Sequence, residues 1–165
     1  MRTVRTIALR AACLLLLLPS CQPEAPDGPF PQRSALHLAV DSACLRVPNA
    51  FTPNGDGMND WFTIVASHIS GLHTTIIDDQ GRLVHAATER FVQWKPGPQQ
   101  GSGPFTVIVT ATTESGQVLS GTMQLNALPY GADGCIHSTG RAVFGDQLDP
   151  RRCDTLLASH EIVCP

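Results

Sequence analysis

Between residues 35 and 129 the apolar residues come in short runs broken by Gly, Pro, Asn and Asp, and none recurs with the period of a helix face. A chain patterned this way can bury a core only by stacking strands. Two runs show it best. In PFTVIVTATT, the residues Phe105, Val107, Val109 and Ala111 alternate with Thr106, Ile108, Thr110 and Thr112, and QVLSGTMQL alternates again after the turn-forming TESG. Alternation gathers one set of side chains on one sheet face, and β-branched residues suit a pleated surface. Residues 105–112 and 117–125 are therefore expected to form a hairpin.

Weaker signals of the same kind mark strands at 35–40, 44–48, 61–66, 73–78, 82–85 and 90–94. Asp79-Gln80-Gly81 supplies a tight turn between two of them, and KPGPQQGSGP has no strand potential. Several short strands separated by turn signals over residues 35–129 predict an all-β fold, an antiparallel β-sandwich of the immunoglobulin type. The texture changes after Pro129. Residues 130–165 are loop-rich, contain Cys135, Cys153 and Cys164, and offer one short helical stretch at 154–159. They read as a disulfide-tied C-terminal appendage, not a second core.

The first twenty residues form a three-part pattern of Arg2, Arg5 and Arg10, an apolar run over residues 11–18, and then Pro19-Ser20-Cys21. The run is shorter than the roughly 20 residues a spanning helix needs, so residues 1–20 read as a signal peptide. Leu18-Pro19-Ser20-Cys21 resembles the bacterial lipobox, which makes Cys21 the lipidation site and the first residue of the mature chain. An ordinary secretory signal with a coincidental cysteine is the other reading. The proline-rich stretch 21–34 cannot bury apolar surface and is expected to act as a tether. Without the three leader arginines, the balance of 11 Lys/Arg against 14 Asp/Glu moves to −6, a sign that disfavours nucleic acid as a partner. With Cys13 removed and Cys21 lipidated, Cys44, Cys135, Cys153 and Cys164 remain as disulfide candidates. The favoured pairing is Cys44–Cys135 with Cys153–Cys164, one bond bracketing the sandwich and one closing a short loop.

Residues 47–60 read VPNAFTPNGDGMND. This segment closely resembles the PNAFTPNGDGxND signature that opens the gliding-motility-associated C-terminal domain, the type B sorting domain of the type IX secretion system in Bacteroidota. The resemblance continues more faintly through IIDDQGRLVH and Trp94 to the closing hairpin near Leu128. The chain departs from the family where YNRWGxxVF is usual, reading IDDQGRLVH, and where WDG is usual, reading Trp94-Lys95-Pro96. The family implies a sandwich that serves as an export and attachment signal at the end of a large secreted protein. Here a lipoprotein signal precedes the domain and residues 130–165 follow it. The expected protein is thus an outer-membrane lipoprotein of the cell envelope, on its periplasmic or surface face. It would be a non-enzymatic binding or structural module held to the membrane by its N-terminal lipid, with protein partners in secretion, gliding or surface adhesion. The alternative is a short secreted cargo whose sandwich is a type IX sorting domain.

Within the signature, Asn54, Asp56 and Asp60 take the third, fifth and ninth places of a pattern like DxNxDGxxD, with Gly57 at the sharp turn. Oxygen donors so spaced can wrap Ca²⁺, although Thr52 and Thr63 stand where the first and last acidic ligands belong. The competing reading has Asn54, Asp56, Asn59 and Asp60 capping backbone N–H groups in Asx-turns while the glycines take positive φ. Cys135, His137, Cys153, His160 and Cys164 make a poor zinc set without a CxxC pair. Asp146 and Asp149 before Pro150 fit a turn better than an acid–base pair. The six histidines are scattered, and neither HExxH nor GxSxG occurs, so no catalytic residue is nominated. Trp61 and Trp94 read as core or domain-edge packing.

Overall fold

A computed structural model describes residues 35–89, 92–97, 103–138, 141–152 and 156–164. The signal peptide, the tether, Cys21 and Cys153 lie outside the described residues. Twelve strands are described: β1 Leu36–Val40, β2 Ala43–Val47, β3 Ala50–Phe51, β4 Phe62–Thr63, β5 Val65–Ser67, β6 Ile69–Ile77, β7 Leu83–Ala87, β8 Gln93–Trp94, β9 Phe105–Thr113, β10 Val118–Ala127, β11 Ile136–His137 and β12 Val163–Cys164.

The hairpin read from the alternating runs is the centre of the molecule. β9 and β10 pair antiparallel from Val118 opposite Thr112 to Leu125 opposite Phe105. Their turn is closed by the Gly116 N–H donating to the Thr113 carbonyl at 3.0 Å and the Gln117 N–H donating to Thr113 Oγ1 at 2.9 Å. Gly116 has φ of 86°, which a side chain would oppose. Around the hairpin the larger sheet runs β3-β10-β9-β6-β7, and a second sheet, β1-β2-β5, makes up the other layer. Leu45 and Val47 of β2 share one buried cluster with Leu72 and Ile76 of β6, Phe105, Val107 and Val109 of β9, and Met123 and Leu125 of β10. The fold is an all-β sandwich. The β4–β8 pair sets Phe62 opposite Trp94, and the Trp94 ring meets Phe105 edge-on at 4.9 Å and Phe51 at 5.9 Å.

Several boundaries differ from the sequence expectation, each for a local reason. The strand expected at 73–78 begins earlier, at Ile69, because a bulge between Ile69 and Gly71 resets the alternation so that Ile69 and Leu72 both point inward. The run at 61–66 divides into β4 and β5, which join different sheets. β3, too short to read from periodicity, pairs parallel with the end of β10. Of the helix expected at 154–159, the described part, 156–159, is not helical; the one helical turn described is a 3-10 turn at Gly145–Gln147. The described cysteines also pair differently. Cys135 is bonded to Cys164, not Cys44, with Cα atoms 5.7 Å apart, because β11 and β12 lie side by side. Cys44 is disulfide-bonded as well.

The turn after β6 is organised by Asp78, whose buried carboxylate accepts the N–H groups of Gln80 and Arg82 and the Arg82 Nε–H at 2.7 Å. Burial pushes its pKa upward, but the Arg82 amide, the Arg82 guanidinium and the Gln80 amide together hold it below the usual carboxylate value. A depressed folded pKa contributes stability above the unfolded value that is lost as pH falls through the folded one. Asp78→Asn should therefore flatten the acid limb of a stability-against-pH curve. In the core, Phe105→Ala should cost about 3–5 kcal/mol in a denaturant titration, since the ring is fully buried and Trp94 would lose its edge contact.

Candidate functional site

The signature lies between the sandwich and the C-terminal segment and makes specific contacts with both. Its entry, Asn49, is fully buried. The Asn49 carbonyl accepts the Asn126 N–H of β10 at 2.9 Å. On the other side its N–H donates to the Val143 carbonyl at 3.1 Å, its Oδ1 accepts the Val143 N–H at 2.7 Å, and its Nδ2 donates to the Arg141 carbonyl at 3.0 Å. An asparagine side chain carries the same donor and acceptor as a peptide group, so Asn49 lines up segment 141–143 beside β3 much as a strand would. Behind it, Ala50 and Leu128 form a second apolar cluster with Ile136 and Phe144 of the C-terminal segment, flanked by Tyr130 and Ala142.

The loop itself is built on backbone capping. Asp60 accepts the N–H groups of Gly55 and Gly57, Asp56 accepts the Met58 N–H at 2.8 Å, and Asn54 Oδ1 accepts the Asp56 N–H at 3.0 Å. Gly55 and Gly57 have φ of 86° and 92°, conformations only glycine adopts without strain. The Met58 amide, and then the Asn54 side chain, hold the Asp56 carboxyl below its ordinary range. The oxygens that a calcium reading assigns to the ion are thus turned toward amide hydrogens of their own loop. Asn54 Nδ2 also donates to Asp56 at 2.8 Å. The hydrogen bonds of Asn54, Asp56 and Asp60 match the Asx-turn reading.

Asn59 behaves differently from its neighbours. It sits at φ of 44° and turns its amide toward the C-terminal segment. Its Oδ1 accepts the Asp146 N–H at 3.0 Å, and its Nδ2 donates to Glu161 Oε1 at 2.9 Å. Glu161 is the convergence point. Thr52 Oγ1 donates to Oε1 of the same carboxylate at 2.5 Å, and the Tyr130 hydroxyl donates to Oε2 at 2.5 Å. Glu161 and Thr52 are both buried. Asp146, in turn, accepts the Ser159 hydroxyl, the His160 N–H at 2.8 Å and a contact from His160 Nδ1 at 3.2 Å, which fixes the chain just before Glu161. The Ser159 hydroxyl donates to Asp146 and not to His160, so the three do not form a nucleophile–base relay. Asp149 caps the Arg151 N–H at 2.8 Å.

Sequence reasoning singled out the signature but missed Glu161, Tyr130 and the outward role of Asn49 and Asn59. The available signal was modest: Tyr130 is the only tyrosine of the chain, and Glu161 is an acid directly before the apolar Ile162-Val163 that lead to Cys164. Among the described residues, the one group of three metal-capable side chains is Asp133, Cys135 and His137, but the Cys135 sulfur is in the disulfide and the His137 ring pairs with Asp133 at 2.7 Å. Trp61 is exposed under the Lys95 ammonium, which stands 4.6 Å from the ring centroid, so it is not a core residue. Trp94 is buried, in keeping with its reading as packing.

Residues 45–125 match the model of the CHU_C type IX secretion signal domain, which covers the sandwich from β2 to β10 and includes the whole signature. No curated protein and no solved structure matches the chain.

The hydrogen bond to Glu161, followed by burial, raises the Tyr130 phenol above its ordinary value. A raised folded pKa contributes stability that is complete below the unfolded value of about 10 and is lost as pH climbs through the folded one. Because Tyr130 is the only tyrosine, an absorbance titration of phenolate reads this contact alone. The wild type should titrate later than free tyrosine, and Glu161→Gln should move the transition back toward it.

Proposed function

We propose that this chain, whose residues 45–125 form a type IX secretion signal domain, is a resident lipoprotein of the cell envelope that works with the type IX secretion or associated surface machinery as a non-enzymatic binding module. The observation that carries this reading is the hold the C-terminal segment has on the signature. Asn49, Thr52 and Asn59, which the signature would otherwise present outward, are bonded to Arg141, Val143, Asp146 and Glu161. A domain working as a terminal address must offer its signature to the export apparatus. Here the same polar groups are already satisfied within the chain, and a buried group that has its hydrogen bonds gains little by exchanging them. The lipobox-like Leu18-Pro19-Ser20-Cys21 supports attachment by another route, with several acyl chains on Cys21 giving firm membrane binding. No helix among the described residues is long and apolar enough to cross a membrane.

The second reading, a short cargo whose sandwich is itself the sorting signal, draws on the family match and differs in one testable outcome. When residues 35–165 are fused to a reporter in a host with a working type IX system, the fusion should be retained; its export would favour the cargo reading. The intact mass of the membrane-extracted protein under non-reducing conditions should begin at Cys21 and carry acyl chains. An unacylated mass would remove the anchor from the proposal.

A further inference from the structure

We propose that Asn54-Gly55 and Asp56-Gly57 are latent sites of backbone self-modification, and that the Asp60 carboxylate keeps both closed by holding the two nitrogens that would attack. Asparagine is thermally labile, and an asparagine or aspartate followed by glycine cyclises most readily, because no side chain hinders the approach of the glycine nitrogen to the preceding Cγ. Both dipeptides lie in the exposed part of the signature loop, and a Cβ added at Gly55 or Gly57 would meet nothing within 4 Å. Water and base therefore reach them. At Asn54 the reaction joins the Gly55 nitrogen to Asn54 Cγ, the amide proton passes to a base, and the Cγ–Nδ2 bond breaks with loss of ammonia. Water then opens the ring on either side, leaving aspartate or isoaspartate at position 54. At Asp56 the Gly57 nitrogen attacks in the same way, water leaves, and water reopening the ring gives aspartate or isoaspartate.

The loop opposes these steps at both reacting atoms. Asp60 Oδ1 accepts the Gly55 N–H and its Oδ2 accepts the Gly57 N–H at 2.8 Å, so one carboxylate covers both nucleophiles. Each nitrogen must lose that proton to attack, and a carboxylate beside it disfavours the negative charge that would develop. The electrophiles are turned aside as well. Asn54 Oδ1 accepts the Asp56 N–H at 3.0 Å, its Nδ2 donates to Asp56 Oδ2 at 2.8 Å, and Asp56 Oδ1 accepts the Met58 N–H at 2.8 Å. Each side chain thus engages the amide two residues ahead, whereas cyclisation requires it over the amide next to it. The Met58 amide, which holds the Asp56 carboxyl below its ordinary range, also favours the carboxylate, a poorer target for a nucleophile than the neutral acid. Conversion at position 54 would remove the Nδ2 donor and set a second carboxylate against Asp56, so the loop's own hydrogen bonds would not reform.

The test holds the full chain in mildly alkaline buffer and follows it by peptide mapping in a mass spectrometer, with enzymatic detection of isoaspartate. In Asp60→Ala the peptide containing position 54 should gain one mass unit at least about tenfold faster than in the wild type, and isoaspartate should appear at positions 54 and 56. Asn59→Ala removes the contacts to Asp146 and Glu161 from the same loop but leaves both glycine amides on Asp60, and should change the rate little. Adding Asn54→Gln to Asp60→Ala should abolish the mass gain, since the longer side chain closes a ring slowly. The wild type unfolded in guanidinium chloride should convert at least about tenfold faster than the native protein, a comparison that needs no variant. Equal rates in native and unfolded wild type would overturn the protection. Equal rates in the wild type and a folded Asp60→Ala would overturn the role of Asp60, as would equal acceleration by Asn59→Ala, because loosening of the loop would then suffice. The Tyr130 titration reports whether each variant keeps its junction folded.

Discussion

One buried carboxylate organises the functional end of this molecule. Glu161 is held by three neutral donors, Thr52, Asn59 and Tyr130, in place of a cationic partner. Such an arrangement is sensitive to each of its members. A hydrogen bond to a charged group contributes about 1.5–3 kcal/mol, and removing a donor leaves charge buried without compensation. Two of the donors belong to the signature, and the third stands at the start of the C-terminal segment. The carboxylate thus ties together three stretches of chain that are far apart in sequence, and the conformation of each depends on the others staying put.

That coupling explains which part of the protein could be read in advance. The central hairpin was legible because Phe105, Val107, Val109 and Ala111 alternate with threonines and isoleucine, and period two has one structural meaning. The caps of the loop were legible because Asn54, Asp56 and Asp60 beside Gly55 and Gly57 permit few local conformations. The contacts of Asn49, Asn59 and Glu161 were not, because they join residues separated by 31 to 109 positions and nothing in the local pattern marks a partner. The disulfide pairing was missed for the same reason. Bracketing arguments weigh sequence spacing, whereas Cys135 and Cys164 meet because β11 and β12 run parallel.

The signature also divides its labour in a way its sequence conceals. Asn54, Asp56 and Asp60 face inward on their own loop and cap its amides. Asn49, Thr52 and Asn59 face the C-terminal segment. The first set makes the loop rigid, and the second set binds the C-terminal segment. Rigidity in the first supports the contacts of the second, because a loop that is already ordered loses little further entropy when the C-terminal segment packs on it.

Covalent and non-covalent contributions both order the segment that covers the signature. A loop closed by a disulfide across the 29-residue separation of Cys135 and Cys164 gains about 3–4 kcal/mol from the restricted unfolded chain. The hydrogen bonds and the small apolar cluster at the junction must offset the cost of ordering the loop-rich segment around them, at about 1–2 kcal/mol for each backbone residue fixed. The Cys135–Cys164 bond therefore adds a covalent share to the ordering of this segment. The sandwich core and the cluster at the junction are separate, so the segment is ordered through contacts and a bond of its own beside those of the central sheets.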